Sequence, residues 1–174
     1  MLDKAIVAVA GASTRWVIAS NDPTASDWFA NAVIVRDVHP GTGGLAGVEA
    51  AFKWAGRRDL VVAAWDMPFV TAALLVSLVD FADKTGADAV VPESESPHGF
   101  EPFCAFYSHR VRKSLTEFLS AGGGPAHVFL RSVSRLHIVP THQVAWSGDP
   151  KRLLFSVNTP EDLERAHAML ARAK

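Results

Sequence analysis

The stretch Leu60-Val61-Val62-Ala63-Ala64-Trp65-Asp66-Met67-Pro68-Phe69 constrains this chain more than any other. Its continuous apolar run has the length and character of a strand buried on both faces, as in a parallel sheet. Pro68 has no N–H to donate and ends the ladder. The run is followed at once by a carboxylate, Asp66. At the carboxyl end of a parallel strand that carboxylate stands where open α/β sheets bind ligands. A plain turn or helix cap is the other role open to it.

The flanking segments decide the fold class. Leu45, Val48, Phe52 and Ala55 recur at helical spacing, so a helix runs from Leu45 to about Trp54 and stops near Gly56. After the central strand, Thr71 caps a helix that buries Leu74, Leu75 and Leu78. Further strands are expected at Trp16 to Ser20, Ala32 to Val35, Ala87 to Val91, Phe103 to Tyr107 and Leu136 to Val139. Helices are expected at Val111 to Leu119 and His127 to Val133, and Glu93 to Phe100 reads as a mobile polar loop. The run Leu153 to Val157 reads as the last strand and ends in Asn158, and Thr159-Pro160-Glu161-Asp162 starts a last helix by a capping box with Pro at the first helical position. Strands alternating with helices predict a three-layer α/β/α fold with a mostly parallel, Rossmann-like sheet. No repeat and no boundary divides residues 1–174, which read as a single domain.

The amino end is the anomaly. Ala5 to Ala10 reads as a strand, yet about five residues separate it from the run at Trp16. A parallel crossover needs roughly ten or more residues, so the two runs form an antiparallel hairpin or the segment lacks an element.

Several function classes are excluded. Formal net charge is −1 with no basic block, which argues against a nucleic-acid grip. No apolar run approaches a membrane span and no charged-then-apolar leader is visible, so a cytoplasmic protein is expected. Cys104 is the only cysteine, and no base stands near it in sequence. It reads as a small buried apolar residue. The seven histidines lack the spacing of a zinc site. If the sheet is parallel, its loops bring Asn21, Asp37, Gly43, Gly44, Asp66 and Asn158 to one edge. The glycine loop His39-Pro40-Gly41-Thr42-Gly43-Gly44 opens a helix whose unpaired N–H groups suit an anion or a polar base edge. One carboxylate with an amide suits Mg²⁺, which keeps waters and borrows phosphate oxygens.

Six segments in order resemble the MobA family, molybdenum cofactor guanylyltransferases of the nucleotidyltransferase fold. Asp3-Lys4-Ala5 with Val9-Ala10-Gly11 looks like the segment just after the family's glycine-rich signature, and Ser20-Asn21-Asp22 like its second-strand ending. Asp37, with Pro40-Gly41 and Gly43-Gly44-Leu45-Ala46-Gly47, resembles D-x-x-P-G-x-G-P-L-A-G, with Gly44 where proline is usual. Trp65-Asp66-Met67-Pro68-Phe69 resembles C-D-M-P-F, and Glu101-Pro102-Phe103-Cys104-Ala105-Phe106-Tyr107 resembles Q-P-L-x-A-L-Y. Val157-Asn158-Thr159-Pro160-Glu161-Asp162-Leu163 matches the N-x-N-T-P-E-D-L ending. Relative to the family's L-A-G-G-x-S-x-R-M-G-x-D-K opening, this sequence begins on the last residues of the motif, without the first strand and phosphate-cradling loop. Val9 to Arg15 is the segment available to replace that loop.

The resemblance implies transfer of GMP from GTP to the phosphate of molybdopterin with release of pyrophosphate. By position, Asn21 and Asp37, with the Gly43-Gly44 loop, would hold the guanine nucleotide, Lys4 would neutralise phosphate charge, Asp66 would bind Mg²⁺, and Asn158 would support metal or substrate from the far side. Molybdoenzymes or cofactor-delivery proteins are the implied partners. The alternatives are transfer of cytidylyl or sugar-directed nucleotidyl groups, and a non-catalytic nucleotide- or cofactor-binding protein on the same scaffold.

Overall fold

A computed structural model describes residues 2–29 and 31–171. The elements in order are α1 (Leu2–Ala12), β1 (Ile18–Ala19), β2 (Ile34–Val35), α2 (Gly44–Ala55), β3 (Leu60–Ala63), α3 (Ala72–Thr85), β4 (Ala89–Pro92), β5 (Cys104–Tyr107), α4 (Arg112–Ser120), α5 (Ala126–Ser132), β6 (Leu136–Val139), α6 (Thr141–Val144), α7 (Pro150–Leu153) and α8 (Pro160–Ala171).

The architecture is α/β, with helices on both faces of a mixed sheet. Strands β3, β5, β4 and β6 form one sheet in that order, and β1 pairs with β2 in a separate two-stranded piece. The pairs β1–β2 and β4–β6 are parallel, whereas β5 runs antiparallel to both neighbours. Phe103 to Tyr107 is thus a strand, as its residues predict, but a reversed one. The alternation of side chains divides the core between two faces. Val90, Cys104 and Phe106 meet Leu74, Leu75 and Leu78 of α3. Ala89, Val91, Ala105 and Tyr107 meet Leu45, Val48 and Phe52 of α2 and Leu115 of α4 on the other face. Burying each such leucine contributes roughly 1.5–3 kcal/mol. Thr71 caps α3 by accepting from the Leu74 N–H at 3.2 Å, and Gly86, left-handed at φ 66°, ends it.

Four expectations need correction. Ala5 to Ala10 is neither a strand nor half of a hairpin. It lies in α1, which buries Ala5, Ile6 and Ala8 and packs against α3. An unbroken apolar run reads alike in a buried strand and in the apolar face of a helix. Glu93 to Phe100 is not a loose loop, because Ser94 N–H donates to Gly99 O, Ser96 Oγ to Phe100 O, and Glu93 bridges to Phe100. Leu153 to Val157 is not a strand: the end of α7 and irregular chain occupy it. Leu60 to Trp65 is neither central nor buried on both faces, since β3 stands at an edge of the four-stranded sheet and all four of its residues are only half-buried.

At the far end of the sheet, Asp88 pairs with Arg110 and with Arg135, the latter at 3.0 Å. The Arg135 hydrogen bond, followed by that of Arg110, holds the Asp88 carboxyl below its ordinary 3.8. A depressed folded-state pKa gives stability that is complete above the unfolded value and drains as pH falls through the folded one. Asp88→Asn is therefore expected to cost about 1 kcal/mol at pH 7 and to flatten the loss of stability below pH 4. Urea melts at pH 3, 4 and 7 measure both, and an unchanged acid slope would contradict it.

Candidate active site

Asn21, Asp37, the glycine loop and Asp66 stand beyond strand ends or in the loops that follow them, whereas Asn158 follows irregular chain after α7 and Lys4 lies in α1. Ser20 N–H donates to Val35 O across the β1–β2 pair, which sets the next residues side by side. Asn21 and Asp37 then bond reciprocally: Asn21 Nδ2 donates to Asp37 Oδ2 at 2.6 Å, and Asp37 N–H donates to Asn21 Oδ1 at 3.0 Å. Arg36 Nη1 reaches Asn21 O at 3.2 Å. Asp37 Oδ1 keeps its lone pairs beside Gly47, where an added Cβ would come within 4.0 Å.

The glycine loop connects Asp37 to α2. Gly43 caps the helix with φ 86° and has no side chain to satisfy the first-turn N–H groups; Ala46 N–H is taken by Gly43 O at 3.0 Å, and the N–H groups before it are left for a ligand. Gly44 lies flat against Phe103, and a Cβ there would stand 2.6 Å from the ring. Phe103 O in turn accepts from Ala64 N–H at 2.7 Å, which couples the loop to the end of β3 and so to Asp66. The loop is braced from behind by a group the sequence reading missed. Glu49, buried on α2, takes His39 Nδ1 at 2.7 Å and Thr116 Oγ1 at 2.7 Å, while His39 Nε2 meets Ser120 at 3.1 Å. Thr42 Oγ1 donates to His39 O. The available signal was a charged residue beside Val48 on the apolar stripe of α2.

Asp66 accepts from Ser156 Oγ at 3.0 Å through Oδ2, and its carbonyl accepts from Val157 N–H at 2.9 Å. Asn158 Nδ2 donates to Ser156 Oγ at 3.0 Å, so Asp66, Ser156 and Asn158 form one chain. Ser156 was missed as well. The turn after it is locked by Asp162, which accepts from the N–H groups of Asn158 and Thr159 and is thereby held below its ordinary range. Asp66 Oδ1 is buried without a hydrogen-bond partner. Glu101 is close enough for the charge of Asp66 to act on it. Burial chiefly, with Asp66 adding to it, raises the Glu101 carboxyl above 4.5, and the Phe103 N–H partly offsets the rise.

Asn21, Asp37, Gly43 and Gly44 are thus brought together on one side, and Asp66 and Asn158 on the other, with Phe103 between. Lys4 joins neither group. It is exposed in the first turn of α1, and no hydrogen bond or ion pair among the described residues ties it to the site. Cys104 is buried, and burial pushes its thiol up, as a structural cysteine requires.

The orphaned Asp66 oxygen beyond the end of β3 thus stands across Phe103 from the N-terminus of α2. The family model of the MobA-like NTP transferase domain matches residues 1–140. The chain belongs to that family. It is similar to the molybdenum cofactor guanylyltransferase of Desulfosudis oleivorans, 29% identical over 174 residues, covering 98% of this chain and 82% of the relative. Among solved structures it resembles the molybdopterin-guanine dinucleotide biosynthesis protein A of Archaeoglobus fulgidus, with TM-score 0.71 and 30% identity over 81% of this chain and 69% of the other. The 2-C-methyl-D-erythritol 4-phosphate cytidylyltransferase of Thermus thermophilus shares the fold, with TM-score 0.70 at 15% identity over 98% of this chain and 89% of the other. The MobA-like chain is a nucleotidyltransferase, and no helix among its described residues is long and apolar enough to cross a membrane.

Proposed function

We propose that this MobA-like chain transfers GMP from GTP to the phosphate of molybdopterin and releases pyrophosphate. The observation that carries the reading is the buried, unpartnered Oδ1 of Asp66. A bare carboxylate oxygen costs about 1–3 kcal/mol unless something takes it up. The donors are hard oxygens, and no group of three or more His, Cys, Asp or Glu able to hold a metal ion by itself occurs among the described residues, so a cation here would rest on few protein ligands and on water and phosphate oxygens. That donor set suits Mg²⁺, which is held by one or two carboxylates plus water and phosphate oxygens. Asp66 would hold it, with Glu101 as the second carboxylate and Ser156 and Asn158 fixing the rotamer of Asp66. Bound there, the cation supplies neutralisation of charge on the triphosphate.

The remaining work is positioning. Guanine carries adjacent N–H donors at N1 and N2, and a carboxylate accepts both. Asp37 Oδ1 is available for this, and Asn21 fixes the Asp37 carboxylate from the opposite oxygen. The open N–H groups at Gly43 and Gly44 take phosphate oxygens. The acceptor phosphate oxygen attacks the α-phosphorus in line; the bond to the bridging oxygen breaks, and pyrophosphate leaves with that electron pair. No protein nucleophile is needed. Molybdoenzymes or cofactor-delivery proteins would then receive the product.

Calorimetric titration with GTP and CTP, with and without Mg²⁺, tests the reading. GTP is expected to bind at least about tenfold tighter than CTP, which is the contribution of one good bidentate base contact. Mg²⁺ is expected to strengthen binding, and Asp37→Ala to erase the preference. Preference for CTP overturns the guanine assignment. Pyrophosphate release on supplying GTP and molybdopterin separates a transferase from a non-catalytic binder.

A further inference from the structure

The glycine loop has little of its own to hold it. Gly41 and Gly43 both stand in the left-handed region, at φ 83° and 86°, which strains any residue with a Cβ. Glycine also brings the largest backbone freedom to a segment, and a nucleotide that had to order such a loop would bind more weakly for doing so. Yet both hydrogen-bonding side chains of the loop are tied. His39 Nδ1 meets Glu49 Oε2 at 2.7 Å, and His39 Nε2 meets Ser120 Oγ at 3.1 Å. Thr42 Oγ1 donates to His39 O at 2.7 Å. The Thr42 side chain abuts the backbone at Gly123, where an added Cβ would come within 2.9 Å of Thr42 Cβ.

These ties converge on Glu49. It is only 5% exposed, and each of its oxygens is used, Oε2 by His39 and Oε1 by Thr116 Oγ1 at 2.7 Å. The loop, α2 and α4 therefore meet on one carboxylate. Two features separate it from a residue that serves packing. The rest of the contact between α2 and α4 is apolar, with Leu45, Val48 and Phe52 against Leu115 and Leu119, and a buried charged group seldom stabilises more than an apolar side chain of similar size. Glu49 also lies on α2 about one and a half turns past Gly44, where its charge opposes an anion at the helix start. A carboxylate in that place is explained by what it holds.

We propose that Glu49 is a positioning residue for the nucleotide. Acting through His39, it holds the loop in the shape that presents the Gly43 and Gly44 N–H groups, so that binding does not have to order them. Through Thr116 and Ser120, α4 sets GTP affinity without touching the nucleotide. The inference rests on the reading that this loop takes the nucleotide. Because Glu49 acts on the loop and not on the reacting atoms, its loss falls on KM and leaves kcat.

The test compares Glu49→Ala, Glu49→Gln and His39→Ala with the unaltered chain, and uses Asp88→Asn, at the far end of the sheet, as the control for lost stability. Glutamine accepts from Thr116 through its oxygen and donates its amide N–H to His39 Nδ1 in the other tautomer, so it keeps the ties and drops the charge. His39→Ala breaks the same tie from the more exposed partner and leaves the α2–α4 contact filled. Without nucleotide, amide exchange at Gly41 to Leu45 is expected to speed about tenfold or more in both alanine variants and to stay near the unaltered rate in the other two. In calorimetric titration with GTP and Mg²⁺, the alanine variants are expected to bind about tenfold more weakly, Glu49→Gln as tightly as the unaltered chain or tighter, and Asp88→Asn unchanged. Turnover at saturating GTP, read as pyrophosphate release, is expected to stay within about threefold throughout. Unchanged exchange in the alanine variants, a loss of affinity shared by Asp88→Asn, a loss that glutamine does not rescue, or a fall confined to kcat overturns the inference. Failure of the unaltered chain to bind GTP overturns the transferase reading instead, and the exchange rates, which involve no nucleotide, still decide whether Glu49 orders the loop.

Discussion

Asp66→Asn is expected to lower guanylyl transfer about 10³-fold, the several kcal/mol that metal charge stabilisation contributes to such reactions. The fold should survive. Asparagine keeps an oxygen to accept from Ser156, and it replaces a buried charge that has no partner at Oδ1. Tm is therefore expected to hold or rise while turnover collapses, the mark of a residue kept for function at the expense of stability. Ser156→Ala removes only the orienting hydrogen bond and is expected to cost about 10-fold to 100-fold in activity, as supporting groups around metal ligands do. Pyrophosphate release measured against Mg²⁺ concentration reads both variants. Full magnesium-dependent turnover in Asp66→Asn would remove Asp66 from the site.

Asp66 was legible in the sequence because an apolar strand ending in a carboxylate and proline has few structural readings. Asn21, Asp37 and the glycine loop were legible for the same reason, as polar residues at the ends of apolar runs. Ser156 was not, since a serine inside an apolar run carries no periodic signal and its role arises only when the turn before α8 folds back onto β3. Glu49 was hidden similarly, because its partners His39 and Thr116 come from a distant loop and from α4. The one outright reversal, strand to helix at Ala5 to Ala10, came from a run whose every residue is apolar or small. Local pattern there leaves period 2 and period 3.6 equally open, and packing of α1 on α3 decides. The direction of β5 was likewise invisible, since pairing partners, not composition, decide whether a buried strand runs parallel or reversed.

Gly44 and Phe103 are expected to behave as one coupled unit. The resemblance places proline at position 44 and leucine at position 103 in the family's motifs, and this chain departs from both together. The geometry explains why. Position 44 is the first residue of α2, where proline is otherwise favoured because its φ is pre-set and an N–H there has no partner within the helix. Any Cβ at that position, however, would stand 2.6 Å from Phe103 Cζ and 2.9 Å from Cε1. The larger ring at 103 requires the smaller residue at 44. Gly44→Pro alone is expected to destabilise by about 1–3 kcal/mol through overpacking. It should also weaken GTP binding, because Phe103 O carries the bond to Ala64 N–H that ties the glycine loop to the end of β3. Phe103→Leu alone opens a gap and is expected to cost about 1 kcal/mol. The double variant should be no worse than Phe103→Leu and gains the entropic benefit of proline at a helix start, about 0.4–1 kcal/mol. The expected coupling energy is therefore about 1–3 kcal/mol and favourable. Denaturant melts of the four chains measure it, and additive single effects would mean that the loop and β5 are not in the contact described.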